Sequence, residues 1–464
     1  MTSQGFVKRD NMDSAWIIDL LDEHGLRSTS DVEGFVAAQP ITAIRSIRGG
    51  IGRYLRDSSR RKPGSTADIE FADYFASSSL RGDSGCAVWD CRRRKLEFMA
   101  RYAALYCDHL VVPLQLGHNL PRQSDERRFA ASVLSEVVEL RPLIKAGVIT
   151  LIPEGIALCR EHAAEADSDI SRFQQIADTI AERLSDKFRI TYLPSQEHEM
   201  AGMLRIEGPE ECIEHGSISY LLHEAPAWLP EKWKNSKSKT AFAVPKELVS
   251  NAHLVSSLFR GIAQDVLIQT HSASAAGARY ATDLSVELEL FHKFAAQDPL
   301  TGSTAALCAR LIHTIPLFEE VSVETALELR AKEPEAFLNY RSALSKILGE
   351  YVRAGKAVTE AEARDIYEDR LLPELHNLEA QARAQARSSR RRATRKLATS
   401  SVLVAFGVYA GLFSPHMADM VKVAAGFGLV KEMTEAVGEL ICSPSEIQNH
   451  NLYFLLRLKQ ESRH

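Results

Sequence analysis

The chain has 464 residues, 45% hydrophobic and 25% charged, with 61 acidic against 56 basic side chains. That length exceeds one ordinary hydrophobic core, so two or three domains are expected, and the composition excludes disordered and fibrous classes. A formal charge of -5 gives no whole-protein attraction to nucleic acid, so any such binding must be local.

The seven cysteines, Cys86, Cys91, Cys107, Cys159, Cys212, Cys308 and Cys442, are scattered and form no CxxC. That pattern fits reduced thiols better than a disulfide framework or a structural zinc site. No apolar run follows Lys8 and Arg9, so no secretory signal is read and the chain is expected in the cytoplasm.

In chain order, Ser14–Leu26 reads as a short amphipathic helix stopped by Gly25. Arg45, Arg48, Arg53 and Arg56 then gather around Gly49-Gly50-Ile51-Gly52. A phosphate loop lacks its lysine and Ser/Thr there, so a solvated basic turn is expected, with a linker over Arg60–Thr66. Lys95–Leu105 reads as a helix. The organising stretch follows: an apolar run at Leu110–Leu114, a helix over Ser124–Ala146 ended by Gly147, and a second apolar run at Val148–Ile152. Two such runs flanking a helix predict a parallel β-α-β unit with a right-handed crossover.

Ile156–Lys187 is predicted mainly helical and Phe188–Leu193 is predicted as a third strand. Met203–Glu207 and Ser217–Leu222 read as antiparallel strands at the sheet margin. His223–Thr240 places Trp228 and Trp233 among Lys232, Lys234, Lys237 and Lys239. Aromatics among lysines offer a stacking platform for single-stranded nucleic acid. The plainer expectation is a loop whose tryptophans tuck inward while the lysines stay in water.

Beyond Leu248 the chain reads as helical: Leu248–Ala278, Val286–Ala296, Ser303–His313, Val323–Ala331 and Pro334–Arg353. Thr359 with Glu362 carries a capping box, and Pro373 should disturb the helix that follows. A basic run through Arg390, Arg391 and Arg392 precedes the uncharged Leu397–Phe413. A membrane-acting helix and a buried hairpin compete there. The uncharged stretch falls short of the ~20 residues a span needs, which favours the hairpin. The expected fold is thus an α/β part with a small, mainly parallel sheet followed by a mainly helical part, α-rich overall. Expected divisions are a helical and basic extension over 1–66, the α/β domain over 67–247, a helical domain over 248–396 and a hairpin with tail helix over 397–464.

Two constellations could carry chemistry. His118, Glu154, Glu197 and His198 follow three predicted strands and would meet at one rim if those strands were neighbours, a set suited to a divalent metal. Asp108, Asp265 and Asp283 form an acidic set of the kind that holds magnesium for phosphodiester hydrolysis. Thr282-Asp283 resembles the third acidic motif of PIN-domain nucleases, with the departure that Asp108 precedes its strand instead of following it. No nucleophile elbow, Walker A or Rossmann fingerprint is present.

Ala103–Pro113, Leu140–Val148, Leu329–Arg341 and Tyr453–Arg457 resemble segments of uncharacterised bacterial α/β-plus-helical proteins of similar length. The resemblance carries no activity and only an association with mobile elements and genome defence. The functional expectation is a regulatory or interaction protein with a protein partner or self-association. A metal-dependent nuclease or hydrolase and a membrane-acting effector are the alternatives.

Overall fold

A computed structural model describes residues 15–59, 73–82, 89–114, 123–154, 160–195, 201–210, 212–213, 216–236, 240–251, 254–294, 299–314, 321–351, 359–381, 450 and 452–461. His118, Glu197, His198, Lys237, Lys239, the linker over 60–66, the basic run with Arg390, Arg391 and Arg392, and the stretch 397–441 lie outside them. Among the described residues no helix is long and apolar enough to cross a membrane.

Three helices open the chain: α1 (Ala15–Glu23), α2 (Thr29–Ala38) and α3 (Ile41–Ser59). Ser28 caps α2, its hydroxyl accepting from the Asp31 amide at 3.2 Å while the Asp31 carboxylate accepts from the Ser28 amide at 2.8 Å. The basic turn expected at Gly49–Gly52 is instead the middle of α3. Ile44, Ile51 and Leu55 are buried along that helix, and this apolar stripe outweighs the poor helical propensity of glycine. Arg45 makes a two-pronged bond to Glu126, at 2.6 and 2.8 Å.

The predicted β-α-β unit is present. Strand β2 (His109–Leu114) pairs in parallel with β3 (Ile149–Pro153), with Leu110 opposite Ile149 and Val112 opposite Leu151. Between them runs α6 (Gln123–Lys145). Gly147 turns the chain at φ +69, and the Val148 amide donates back to Leu143 at 2.9 Å. A left-handed residue there lets the last helical carbonyls find donors.

Two strands escape the periodicity reading. Strand β1 (Asp73–Ala76) is only four residues long, and β8 (Arg279–Ala281) only three. Both join the parallel sheet, giving the order β3-β2-β1-β8. After β1 come the short helix α4 (Ser78–Arg81) and α5 (Trp89–Leu105).

Strand β4 (Arg189–Pro194) does not extend that sheet. It pairs antiparallel with β5 (Gly202–Glu207) and β7 (Phe242–Ala243), while β5 pairs with β6 (Ser217–Leu222), giving a second sheet ordered β6-β5-β4-β7. Burial along β4 alternates, as a strand with one solvated face requires. The premise that gathered His118, Glu154, Glu197 and His198 on one rim therefore fails, because the third strand belongs to another sheet.

Helices α7 (Arg160–Leu184) and α10 (Leu254–Ala275) share one buried core with both sheets. Phe173, Ala177 and Ile180 of α7 and Phe259, Ala263 and Val266 of α10 join Phe75, Val111 and Ile152 on one side and Ile190, Tyr192, Leu204 and Ile206 on the other. Phe188 meets Phe259 edge to face at 5.7 Å. The short helices α8 (Glu231–Lys234) and α9 (Lys246–Asn251) flank β7, and α11 (Ser285–Phe294) and α12 (Pro299–Thr314) follow β8.

The chain divides into two compact units, Met1–Leu327 with Ile347–Arg364, and Glu328–Lys346 with Asp365–His464. In the second unit Tyr340 stacks on Phe454 at 5.3 Å, and Arg457 pairs with Glu333 at 3.1 Å. The capping box forms as expected, with the Thr359 amide 3.0 Å from the Glu362 carboxylate and the Glu362 amide 3.2 Å from the Thr359 hydroxyl. Ahead of Pro373 the helix widens into a π turn over Tyr367–Leu371 and then continues. The wider turn accommodates a residue that lacks an N–H and crowds the preceding carbonyls.

Leu110 lies wholly buried in β2, whereas Ile268 on α10 is 41% exposed. Leu110→Ala should cost about 2–5 kcal/mol and Ile268→Ala within about 0.5 kcal/mol, both read by urea unfolding.

Candidate functional site

The chain runs from β1 to β2 to β3 on one side and later places β8 on the other side of β1. Strand order therefore reverses between β1 and β8. In open parallel sheets such a switch point, beyond the carboxyl ends of the two strands, is the usual place for a ligand. Ser77–Gly82 and Thr282–Asp283 occupy that place here.

The two loops are joined by a buried polar network. The Ser77 amide donates to the Ala281 carbonyl at 2.9 Å, continuing the ladder past the end of β1. Ser77 Oγ caps α4 by accepting from the Leu80 amide at 3.0 Å and lies 2.8 Å from Ser79 Oγ. Ser79 Oγ donates to Glu287 Oε2 at 2.8 Å, and Thr282 Oγ1 donates to the same oxygen at 2.6 Å. Tyr280 adds a third donor at 3.1 Å. From α10, Gln269 receives the Ser78 amide at 2.9 Å and donates to the Ser78 hydroxyl. Serine and threonine suit this place because a short hydroxyl can both accept from a turn amide and donate to a carboxylate.

Glu287 is the unusual member. It stands on the first turn of α11, on the stripe carrying the buried Leu284, Leu288 and Phe291, so the helix folds only by burying a carboxyl. Burial pushes its pKa up to about 7; the Thr282 and Ser79 hydroxyls oppose the rise, while the Asp283 and Asp265 carboxylates add to it. Burial also raises Tyr280 well above the usual phenol range.

Around this network lie the charged groups. Lys95 of α5 pairs with Asp283. The wholly buried Arg81 donates to the Pro113 carbonyl at the end of β2 and lies 3.5 Å from the carboxylate of Glu154, just past β3. The carboxyl ends of all four parallel strands thus carry linked polar groups. Gly82 closes α4 at φ +74, where a Cβ would sit 2.8 Å from Lys95 Cβ.

Of the sequence-predicted residues, Asp265 and Asp283 fall close enough to Glu287 to act on its charge, Asp265 from an exposed position on α10. Asp108 does not join them. It precedes β2, whose His109 is level with Asp73 at the start of β1, whereas Ala281 is level with Ala76 at its end. Three strand residues alone separate those levels by about 10 Å, so Asp108 sits at the opposite edge of the sheet. The acidic trio as expected does not assemble. Glu154 is at the correct edge, but its neighbour is the Arg81 guanidinium. Among the described residues no group of three or more His, Cys, Asp or Glu side chains could hold a metal.

Trp228 and Trp233 pack against the core, and Trp233 stacks on Phe242 at 5.2 Å with rings 11° apart. One face of Trp233 is thus covered by the protein itself, and Lys234 pairs with Glu231 at 2.8 Å. Lys232 stands exposed on α8. An apolar crevice between α2, α3 and α6, lined by Val36, Ile44, Ile51, Phe129 and Val133, offers little polar chemistry beyond Arg48.

Sequence reasoning missed Ser77, Ser79, Arg81, Lys95, Gln269, Tyr280 and Glu287. Two signals pointed to them: a serine run with Gly82 closing a short alternating stretch, and a carboxylate placed on an apolar helical stripe. No family model matches this chain, and neither the curated proteins nor the solved structures gave a match.

Between pH 4.5 and about 7 the folded chain holds a proton on Glu287 that the unfolded chain has released. The resulting stability is complete below about pH 4.5 and is lost as pH rises through 7, a change on the order of 3 kcal/mol. Glu287→Gln should flatten that part of the stability profile, measured by urea unfolding of both proteins from pH 4.5 to 8. Gly82→Ala should destabilise by about 1–2 kcal/mol from the left-handed backbone, more if Lys95 cannot yield.

Proposed function

We propose that this chain is a cytoplasmic regulatory or interaction protein. Its α/β half recognises a nucleotide-sized polar ligand at the switch point beyond β1 and β8, and its helical part transmits that event or assembles the protein. The supporting observation is the reversal of strand order at β1 and β8, with Ser79, Thr282, Tyr280 and Gln269 locking the two loops into one frame. Such a frame presents Lys95, Asp283 and Asp265 as a fixed polar rim without an entropy cost at the moment of binding. The link to genome defence rests only on the resemblance of Ala103–Pro113, Leu140–Val148, Leu329–Arg341 and Tyr453–Arg457.

A second reading is favoured by Glu287. A carboxyl whose pKa is pushed up to about 7 beside three hydroxyl donors has the proton affinity of a general acid or base, so a hydrolytic or group-transfer reaction at this switch point is the enzymatic alternative. It requires no convergence of the acidic trio.

Differential scanning fluorimetry with 1 mM ATP, AMP or NAD tests the recognition reading. Saturation to about 100 times Kd stabilises by about 2.7 kcal/mol, so a binding probe should raise Tm by a few degrees. The paired substitution Lys95→Ala with Asp283→Ala should abolish the rise. No rise with any probe, or an equal rise in the double variant, would remove this reading. If a bound probe is also turned over, and Glu287→Gln binds it without turnover, the enzymatic alternative takes its place.

A further inference from the structure

The outer strand of the antiparallel sheet, β6, combines features that folded proteins usually keep apart. Its sequence Ser217-Ile218-Ser219-Tyr220-Leu221-Leu222 has no charge, no proline and no glycine. Leu221 is 69% exposed and Tyr220 40%. Edge strands of this length are ordinarily blunted by a charge, a proline or a bulge, because an open row of amides and carbonyls templates another strand.

The direction of that row follows from the ladder. The Gly208 amide donates to the Gly216 carbonyl at 2.9 Å, and the Ala201 amide donates to the Leu222 carbonyl at 2.8 Å. Gly216 and Leu222 therefore point their carbonyls at β5. Since backbone direction alternates along a strand, Ile218 and Tyr220 do the same, while Ser217, Ser219 and Leu221 point theirs away from the sheet. Among the described residues no strand lies beyond them.

We propose that β6 pairs with β6 of a second copy of this chain, antiparallel about a two-fold axis through Ser219. With Ser219 facing its own copy, Ser217 falls opposite Leu221 and both outward rows are matched, so each outward amide and carbonyl of the three residues finds a partner. Ile218 falls opposite Tyr220 on the face where Ile218 and Leu222 already pack against the core. That non-hydrogen-bonded pair brings an aromatic ring beside a β-branched side chain, a favoured cross-strand contact. The register points to a second copy: the outward row of Ser217, Ser219 and Leu221 is its own complement about Ser219, and the pairing sets no like charges together, Arg205 and Glu207 on β5 already answering each other at 3.0 Å. The product is a continuous eight-stranded sheet ordered β7-β4-β5-β6 and its symmetric continuation. One strand edge buries less than a standard interface, so association should be weak and concentration-dependent.

Sedimentation equilibrium from 1 to 200 µM provides the test. The weight-average mass should climb from 51.5 kDa toward twice that value. Ser219→Pro removes an amide that points away from β5, a change an edge strand tolerates, and should hold the protein at monomer mass. Ser219→Lys places two like charges directly opposite each other at the dyad and should do likewise; it tests the same edge even if the proline variant fails to fold. Circular dichroism should be unchanged in both. A wild-type protein that stays monomeric through 200 µM overturns the proposal, as does a dimer whose mass survives Ser219→Lys.

Discussion

Glu287 Oε2 is where the α/β unit is tied together. Ser79 comes from the turn after β1, Thr282 and Tyr280 come from β8 and its exit, and all three donate to that one oxygen. Ser79 and Glu287 are separated by 208 residues of sequence. Removing any donor leaves a buried carboxyl less satisfied, and removing the carboxyl leaves the three hydroxyls with only one another, Ser77 and Gln269 as neighbours, so the members of the network hold one another in place. A parallel strand pair of only three registered residues, Tyr74–Ala76 against Arg279–Ala281, is a thin attachment for a strand. The side-chain network beyond its end supplies the additional fastening.

The same network makes this end of the parallel sheet polar within and charged at its margin. Desolvation keeps Glu287 from ionising freely, and the nearby carboxylates of Asp265 and Asp283 strengthen that preference. Lys95 answers Asp283, and Arg81 reaches under the end of β2 toward Glu154. Paired charges at the rim and a protonatable acid beneath make a site whose electrostatics depend on pH near neutrality.

Much of the architecture was legible because long elements carry strong periodic signals. The β2–α6–β3 unit, α7, the helix from Pro334 and the Thr359–Glu362 box all follow from apolar spacing and capping chemistry. The failures have physical reasons. Asp73–Ala76 and Arg279–Ala281 are too short for any period to show, and they are strands only because neighbours pair with them. Gly49–Gly52 read as a turn from glycine count, but Ile44, Ile51 and Leu55 bury one side and hold the helix. Strand β4 was rightly read as a strand, but that it belongs to a second sheet was not legible, since local pattern does not encode partners. Asp283 was found without its surroundings: the buried carboxyl whose charge it acts on, Glu287, stands one helical turn further on.

The lateness of β8 bears on how the molecule is made. During synthesis β1 emerges with β2 and β3 soon after it, but the neighbour on its other side follows only about 200 residues later. At roughly 5–20 residues per second the ribosome takes on the order of 10–40 s to deliver it. Throughout that interval one flank of the central strand has no permanent neighbour, and Ser79 awaits a carboxyl not yet translated. Nascent chains are therefore most open to mispairing with one another in that window, and a slowly translated stretch upstream of Arg279 would lengthen it.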